Sequence, residues 1–225
     1  MITYENNYIN PVVLGSFNPA ILTHSFLVEK CEFTHLRGEP ARQVPPIPVV
    51  ASLDYDTVSF FADLGRLQIT EKKCTDPKAS KVPDYLKTYL EKLPHTPITK
   101  CGANFSYMLN VNKTRLQSIN EWLKSNRNKF LQILNLQKAD LEVSFAIYQD
   151  SEIINSWTLR TKLAEDQATT MFRATVGQAG GQAKVDFNYE VADLDKERTR
   201  LDSVTTDYHK IVDLFKNQVD KIFGG

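Results

Sequence analysis

The sequence predicts an α+β fold with mostly antiparallel sheets in two halves and a long C-terminal helix. Three observations carry this. Many segments alternate apolar and polar residues with period two, the signature of half-buried strands. Only a few helical patterns separate them, so strands follow strands and do not alternate with helices. The chain also closes on an apolar stripe in which Leu194, Leu201, Tyr208, Phe215 and Ile222 recur every seven residues, with Val204 and Ile211 as companions.

The most ordered stretch is Val82 to Val111. Pro83 suits a first helical turn, and Asp84 complements the positive end of the helix dipole. Tyr85, Leu86, Tyr89, Leu90 and Leu93 form one helical stripe. Pro94 ends the helix and Pro97 keeps Thr96 extended. From Cys101 the period becomes two, with Cys101, Ala103, Phe105, Tyr107, Leu109 and Val111 on one face of a strand.

Upstream, Val12 to Phe17 reads as a short strand, and Asn18-Pro19 as a cap and first-turn proline. Leu27, Glu29, Cys31 and Phe33 alternate weakly, as in a strand. His35 to Pro48 reads as a loop with a stiff Pro45-Pro46-Ile47-Pro48 piece. Val49 to Tyr55 begins another strand. Thr57–Ala62 and Leu67–Glu71 make a hairpin around Asp63-Leu64-Gly65, and Thr75 to Ser80 is a polar lead into the helix.

Downstream, Leu116, Ile119 and Leu123 are helical, as are Phe130, Ile133 and Leu134, with a break at Ser125-Asn126. Four strands follow: Leu141 to Ile147, Trp157 to Leu163 after a turn at Asp150-Ser151-Glu152, Phe172 to Val176, and Val185 to Val191. Gln178-Ala179-Gly180-Gly181 reads as a hairpin loop. A single helix from about Leu194 to Phe223 ends the chain. The sequence divides into an N-terminal α+β half, 1–112, and a C-terminal helix, meander and long helix, 113–225, with one continuous domain as the alternative.

Two blocks resemble a pattern in a family of uncharacterised bacterial proteins. One is the strand ending Phe17-Asn18-Pro19-Ala20-Ile21. The other is Leu93-Pro94-His95-Thr96-Pro97-Ile98 followed by Gly102 and Asn104-Phe105. The resemblance implies a shared fold unit and a bacterial-type origin, and supplies no activity.

Composition narrows the classes. The chain has 225 residues, 42% of them hydrophobic and 24% charged, ordinary values for a globular protein with a real core. Formal net charge is zero, and no basic block stands out, so nucleic acid is not an expected partner. The first residues, Met1 to Glu5, lack the pattern of a signal peptide, and no apolar run is long enough to span a membrane. Cys31, Cys74 and Cys101 are odd in number and widely spaced, which points to free thiols and a cytoplasmic setting.

Motifs for chemistry are scarce. His24, His35, His95 and His209 are scattered, so no metal and no cofactor is expected. Asp54 and Asp56 flank Tyr55 and fit a turn better than a metal. His95 lies between prolines near Cys101, but that thiol sits on an apolar strand face, so His95 is expected to hold its turn by side-chain hydrogen bonds. Gly177 to Gly181 lacks the Lys-Ser/Thr of a phosphate loop, and Gly224-Gly225 reads as an ordinary helix end. Ser16, Ser106 and Ser144 have no nucleophile-elbow setting.

The resulting expectation is a non-enzymatic interaction or accessory subunit that self-associates or docks on a larger protein. The distal helix stripe, Phe215, Val219, Ile222 and Phe223, is expected to project past its sheet and bind the partner. The alternative is an enzyme with a polar site near His95, Asn104 and Asn18.

Overall fold

The computed structural model describes residues 3–36, 38, 40–47, 49–126, 128, 131–132, 140–148, 151–162, 168–176, 182–191 and 199–224. The fold is α+β, as the period-two segments require. It divides into two compact units. The first comprises Tyr8–Asn104 and Glu190–Ile211. The second comprises Met1–Asn7, Phe105–Tyr189 and Val212–Gly225. The division therefore falls inside a strand, and a late segment returns to the first unit, whereas the sequence suggested a break near 112.

In the first unit the strand order is β2-β3-β4-β5-β1-β6. These strands are β1 (Thr3–Gly15), β2 (Arg42–Ile47), β3 (Val50–Asp54), β4 (Val58–Asp63), β5 (Arg66–Lys72) and β6 (Ile98–Asn110). The pairs β2–β3, β3–β4, β4–β5 and β1–β5 are antiparallel. The expected hairpin is present: Gly65 N–H donates to Asp63 Oδ1 at 2.8 Å, an Asx turn closing β4 onto β5. β1 is much longer than the short strand expected.

Two further segments differ from expectation. Phe26–Lys30 is one turn of π-helix, not strand. Leu27 and Cys31 are buried while Glu29 is exposed, so the buried spacing is helical and Glu29 does not share their face. Thr23 Oγ1 accepts from Phe26 N–H and starts the turn. Arg42–Ile47, expected as loop, is strand β2 with a register shift between Val44 and Ile47. Pro45 and Pro46 fit because β2 is terminal in its unit and the shift absorbs their missing donors.

Helix α1 (Val82–Glu91) buries Leu86, Tyr89 and Leu90 and carries Pro83 and Asp84 in its first turn, as expected. It packs its aromatic side against the unit's core. Tyr85 lies 5.0 Å from Phe33 and 6.1 Å from Phe60, and Tyr89 meets Phe26 edge to face at 5.4 Å, ring centre to ring centre.

In the second unit the order is β6-β10-β9-β8-β7, with β7 (Asp140–Tyr148), β8 (Ser151–Lys162), β9 (Ala168–Val176) and β10 (Gln182–Val191). This is the expected meander, and β7–β8 and β8–β9 are antiparallel. β6 gives Ile98–Asn104 to the first unit and Phe105–Asn110 to the second. Its predicted core face, from Cys101 to Val111, is buried throughout. Helix α2 (Lys113–Ser125) starts where Asn112 Oδ1 accepts from Thr114 N–H at 2.8 Å and stops at the expected Asn126. Phe130, Ile133, Leu134, Asp150, Leu163, the 178–181 loop and Leu194 lie outside the described residues.

The terminal helix is not one piece. Thr199–Val204 is a 3₁₀ helix, and α3 runs from Tyr208 to Phe223. Between them lie Thr205, Thr206 and Asp207, poor helix formers whose side chains compete for local bonds. Thr205 Oγ1 donates to Leu201 O at 3.0 Å, and Asp207 N–H turns back to Asp202 O at 2.6 Å.

Candidate functional site

The segments around Gly15 and Pro97 meet in the first unit. Ser16 N–H donates to Pro97 O at 2.9 Å, and Thr99 Oγ1 donates to Leu14 O at 3.4 Å. Gly15 allows this approach, because a Cβ there would stand 2.2 Å from Pro97 O. The two segments are thus one backbone junction, with β1 leaving and β6 entering.

The three residues of the expected polar site do not gather at this junction. Asn18 Oδ1 accepts from Ala20 N–H at 3.1 Å and caps the 3₁₀ helix Pro19–Ile21. His95 is exposed, and the turn around it is closed by backbone, with Thr96 N–H donating to Leu93 O at 3.2 Å. No hydrogen bond of the His95 side chain is found among the described residues, so the side chain does not hold the turn; the flanking prolines and the backbone do. Asn104 lies seven residues beyond Pro97, roughly 23 Å along an extended strand at about 3.3 Å per residue. Its amide donates to Asn10 O at 3.4 Å, tying β6 to β1.

A polar group that the sequence reading missed stands at the start of α1. Ser80 Oγ donates to Glu71 Oε2 at 2.5 Å and accepts from Val82 N–H at 3.3 Å, so it locks the helix start to the end of β5. Tyr85 OH shares a hydrogen bond with His35 Nε2 at 2.5 Å, and the two rings stack at 5.0 Å. Burial, then the carboxylates of Glu71 and Asp84, push the Tyr85 phenol up to about 12. Ser80 in Thr75–Ser80 was the available signal: a serine two residues before a helical stripe is an N-cap type.

The thiols in this unit are protonated at neutral pH. Burial first, then Glu71 and Asp76, raise Cys74 to about 12, and Cys74 Sγ donates to Asp76 O at 3.2 Å. Burial raises Cys31 to about 11 against the opposing pull of Lys92, and raises Cys101 likewise to about 11. None of the three is in a disulfide, and all three are buried. A thiol held protonated is a poor nucleophile and a poor metal ligand. Asp54, weighed as half of a carboxylate pair, is instead ion-paired with Lys72.

One open cleft of about 400 Å³ lies in the first unit between the end of α1 and the 3₁₀ helix Thr199–Val204. Leu90, Leu201 and Pro94 supply apolar lining, and Lys87, Glu91 and Asp202 supply charge.

In the second unit the distal helix residues fall in the core. Phe215 and Val219 are 0% exposed, Ile222 1% and Phe223 3%. The expected docking stripe is therefore corrected to an internal one. The reason is length: α3 has 16 residues, about 24 Å at 1.5 Å per residue, and strands of nine or ten residues are longer. Phe215 stacks on Phe105 and Tyr107 at 5.3 Å each and meets Phe187 at 5.6 Å. Arg115 of α2 closes the far end, donating to Ile222 O at 2.9 Å and Lys221 O at 3.2 Å, carbonyls that a helix end leaves unpaired. Gly224 completes the turn, since a Cβ there would stand 2.4 Å from Asp220 O.

Among the described residues, the strand order of the second unit ends at β7. It is the terminal strand, paired only with β8 among the described residues. Its nine residues, Asp-Leu-Glu-Val-Ser-Phe-Ala-Ile-Tyr, contain no proline or glycine. The register shift at Ser144/Phe145 places the extra residue, Asn155, in β8, so β7 keeps its regular period.

No family model matches the chain, and no curated protein matches it. Among solved structures it has a distant likeness to a rolling circle replication initiator protein from Geobacillus stearothermophilus. That alignment has 8% sequence identity, covers 96% of this chain and 85% of that chain, and gives a TM-score of 0.35; a likeness this remote carries no argument about function.

Proposed function

We propose that the chain is a non-enzymatic interaction or accessory subunit that self-associates or docks on a larger protein through β7. The carrying observation is that, among the described residues, β7 ends its sheet with a regular, proline-free edge. Such an edge offers a row of N–H and C=O groups to an added strand, which supplies affinity through backbone hydrogen bonds. Zero net charge and buried thiols outside any disulfide support a protein partner in a reducing, cytoplasmic compartment. No described helix is long and apolar enough to cross a membrane.

Light scattering after size-exclusion chromatography tests the proposal, on purified chain and on host extract containing it. Along a strand the N–H groups point alternately to either side. Of Val143→Pro and Ser144→Pro, one therefore removes an outward donor and leaves the β8 ladder intact. The expected result is a wild-type mass above 25.6 kDa that falls to the monomer in the variant that keeps its circular dichroism. A wild type that runs as a monomer in both settings would falsify the proposal.

The enzyme reading retains one observation, the cleft beside Pro94, next in the chain to His95. Saturable binding of a metabolite, abolished by Leu201→Arg in a chain that stays folded, is the result that would move the conclusion there.

A further inference from the structure

No further inference is drawn: the strongest candidate, the cleft of the first unit between the end of α1 and the 3₁₀ helix Thr199–Val204, is lined by Lys87 as well as by Glu91 and Asp202, so its charge favours no one class of ligand, and nothing in the structure shows what fills it.

Discussion

The two units are held together differently. The first adds close backbone approach to its own aromatic cluster around Tyr85: Gly15 and Ser16 run against Pro97, and Asn104 reaches Asn10, while Ser80 fastens α1 to Glu71. The second is organised by rings, with Phe105, Tyr107 and Phe187 gathered on Phe215. Their terminal strands differ as well. β2 carries two prolines and a register shift, and β7 carries neither. A unit fixed by close backbone approach is sensitive to small added atoms, whereas a unit fixed by aromatic packing is sensitive to lost volume. The chain supplies its own reporters for the distinction. All three cysteines, Cys31, Cys74 and Cys101, lie in the first unit, and both tryptophans, Trp122 and Trp157, lie in the second.

The largest effect is expected from Phe215→Ala. Removing a fully buried ring from a stacked cluster costs about 3–5 kcal/mol. In a urea titration the tryptophan transition should move to lower urea and ahead of the thiol-exposure transition. If both reporters shift together, the units unfold as one, and the contrast between them has no thermodynamic content.

Gly15→Ala is the converse test. The new methyl would meet Pro97 O at 2.2 Å, and that oxygen is held by Ser16 N–H, so the junction must open by backbone movement. Overpacking of this kind costs about 1–3 kcal/mol. The thiols should become reactive at lower urea while the tryptophan signal changes less. An unchanged thiol transition would show that the two sequence blocks do not depend on their close approach.

These variants also mark what the sequence made legible. The strands of the second unit, α1, and the core face of β6 follow from period and proline placement, and burial agrees with the pattern in α1, β6 and β10. The helix expected to run unbroken to Phe223 does not, since the backbone bonds at Thr205–Asp207 break it and heptad spacing is blind to them. The same error made Phe215 look exposed: sequence gives the width of an apolar stripe but not the length of sheet beneath it. Pro45 and Pro46 read as loop because a proline looks the same at a sheet edge and in a coil. Of the polar group Glu71, Ser80, Tyr85 and His35 only Ser80 was legible, as an N-cap type; the grouping was not, because its members are up to 50 residues apart. Asn18, Asn104 and His95 were prominent as residue types, yet two of them serve the backbone and the third faces solvent.

A smaller effect follows from the thiols and confines itself to alkaline pH. Their folded values stand above the ordinary 9.0, at about 11 for Cys31 and Cys101 and about 12 for Cys74, with burial the first cause in each. The unfolded chain therefore ionises first. Stability from these groups is complete below about pH 9 and is lost as pH rises through the folded values. Urea midpoints should fall between pH 9 and 11, and Cys74→Ala should flatten that fall. A slope identical in Cys74→Ala and wild type would assign the alkaline loss to other groups.

The smallest effect on stability, and the sharpest on the contrast between edges, comes from one lysine placed on each terminal strand. Gln43 on β2 is exposed, and Ser144 is the middle residue of the nine in β7. Gln43→Lys should change folding stability by no more than about 0.5 kcal/mol, the usual range for an exposed position without special geometry. The effects of the two lysines on association should diverge. On the edge proposed to take an added strand, Ser144→Lys places an ammonium group that opposes the pairing and that salt screens. The assembly should dissociate at higher protein concentration than wild type and recover partly in high salt. Gln43→Lys should leave association unchanged, because β2 already carries prolines that discourage an added strand. Light scattering across a dilution series separates the outcomes. Loss of association in Gln43→Lys with an intact Ser144→Lys assembly would exchange the roles of the two edges, and the distinction drawn from their prolines would be wrong.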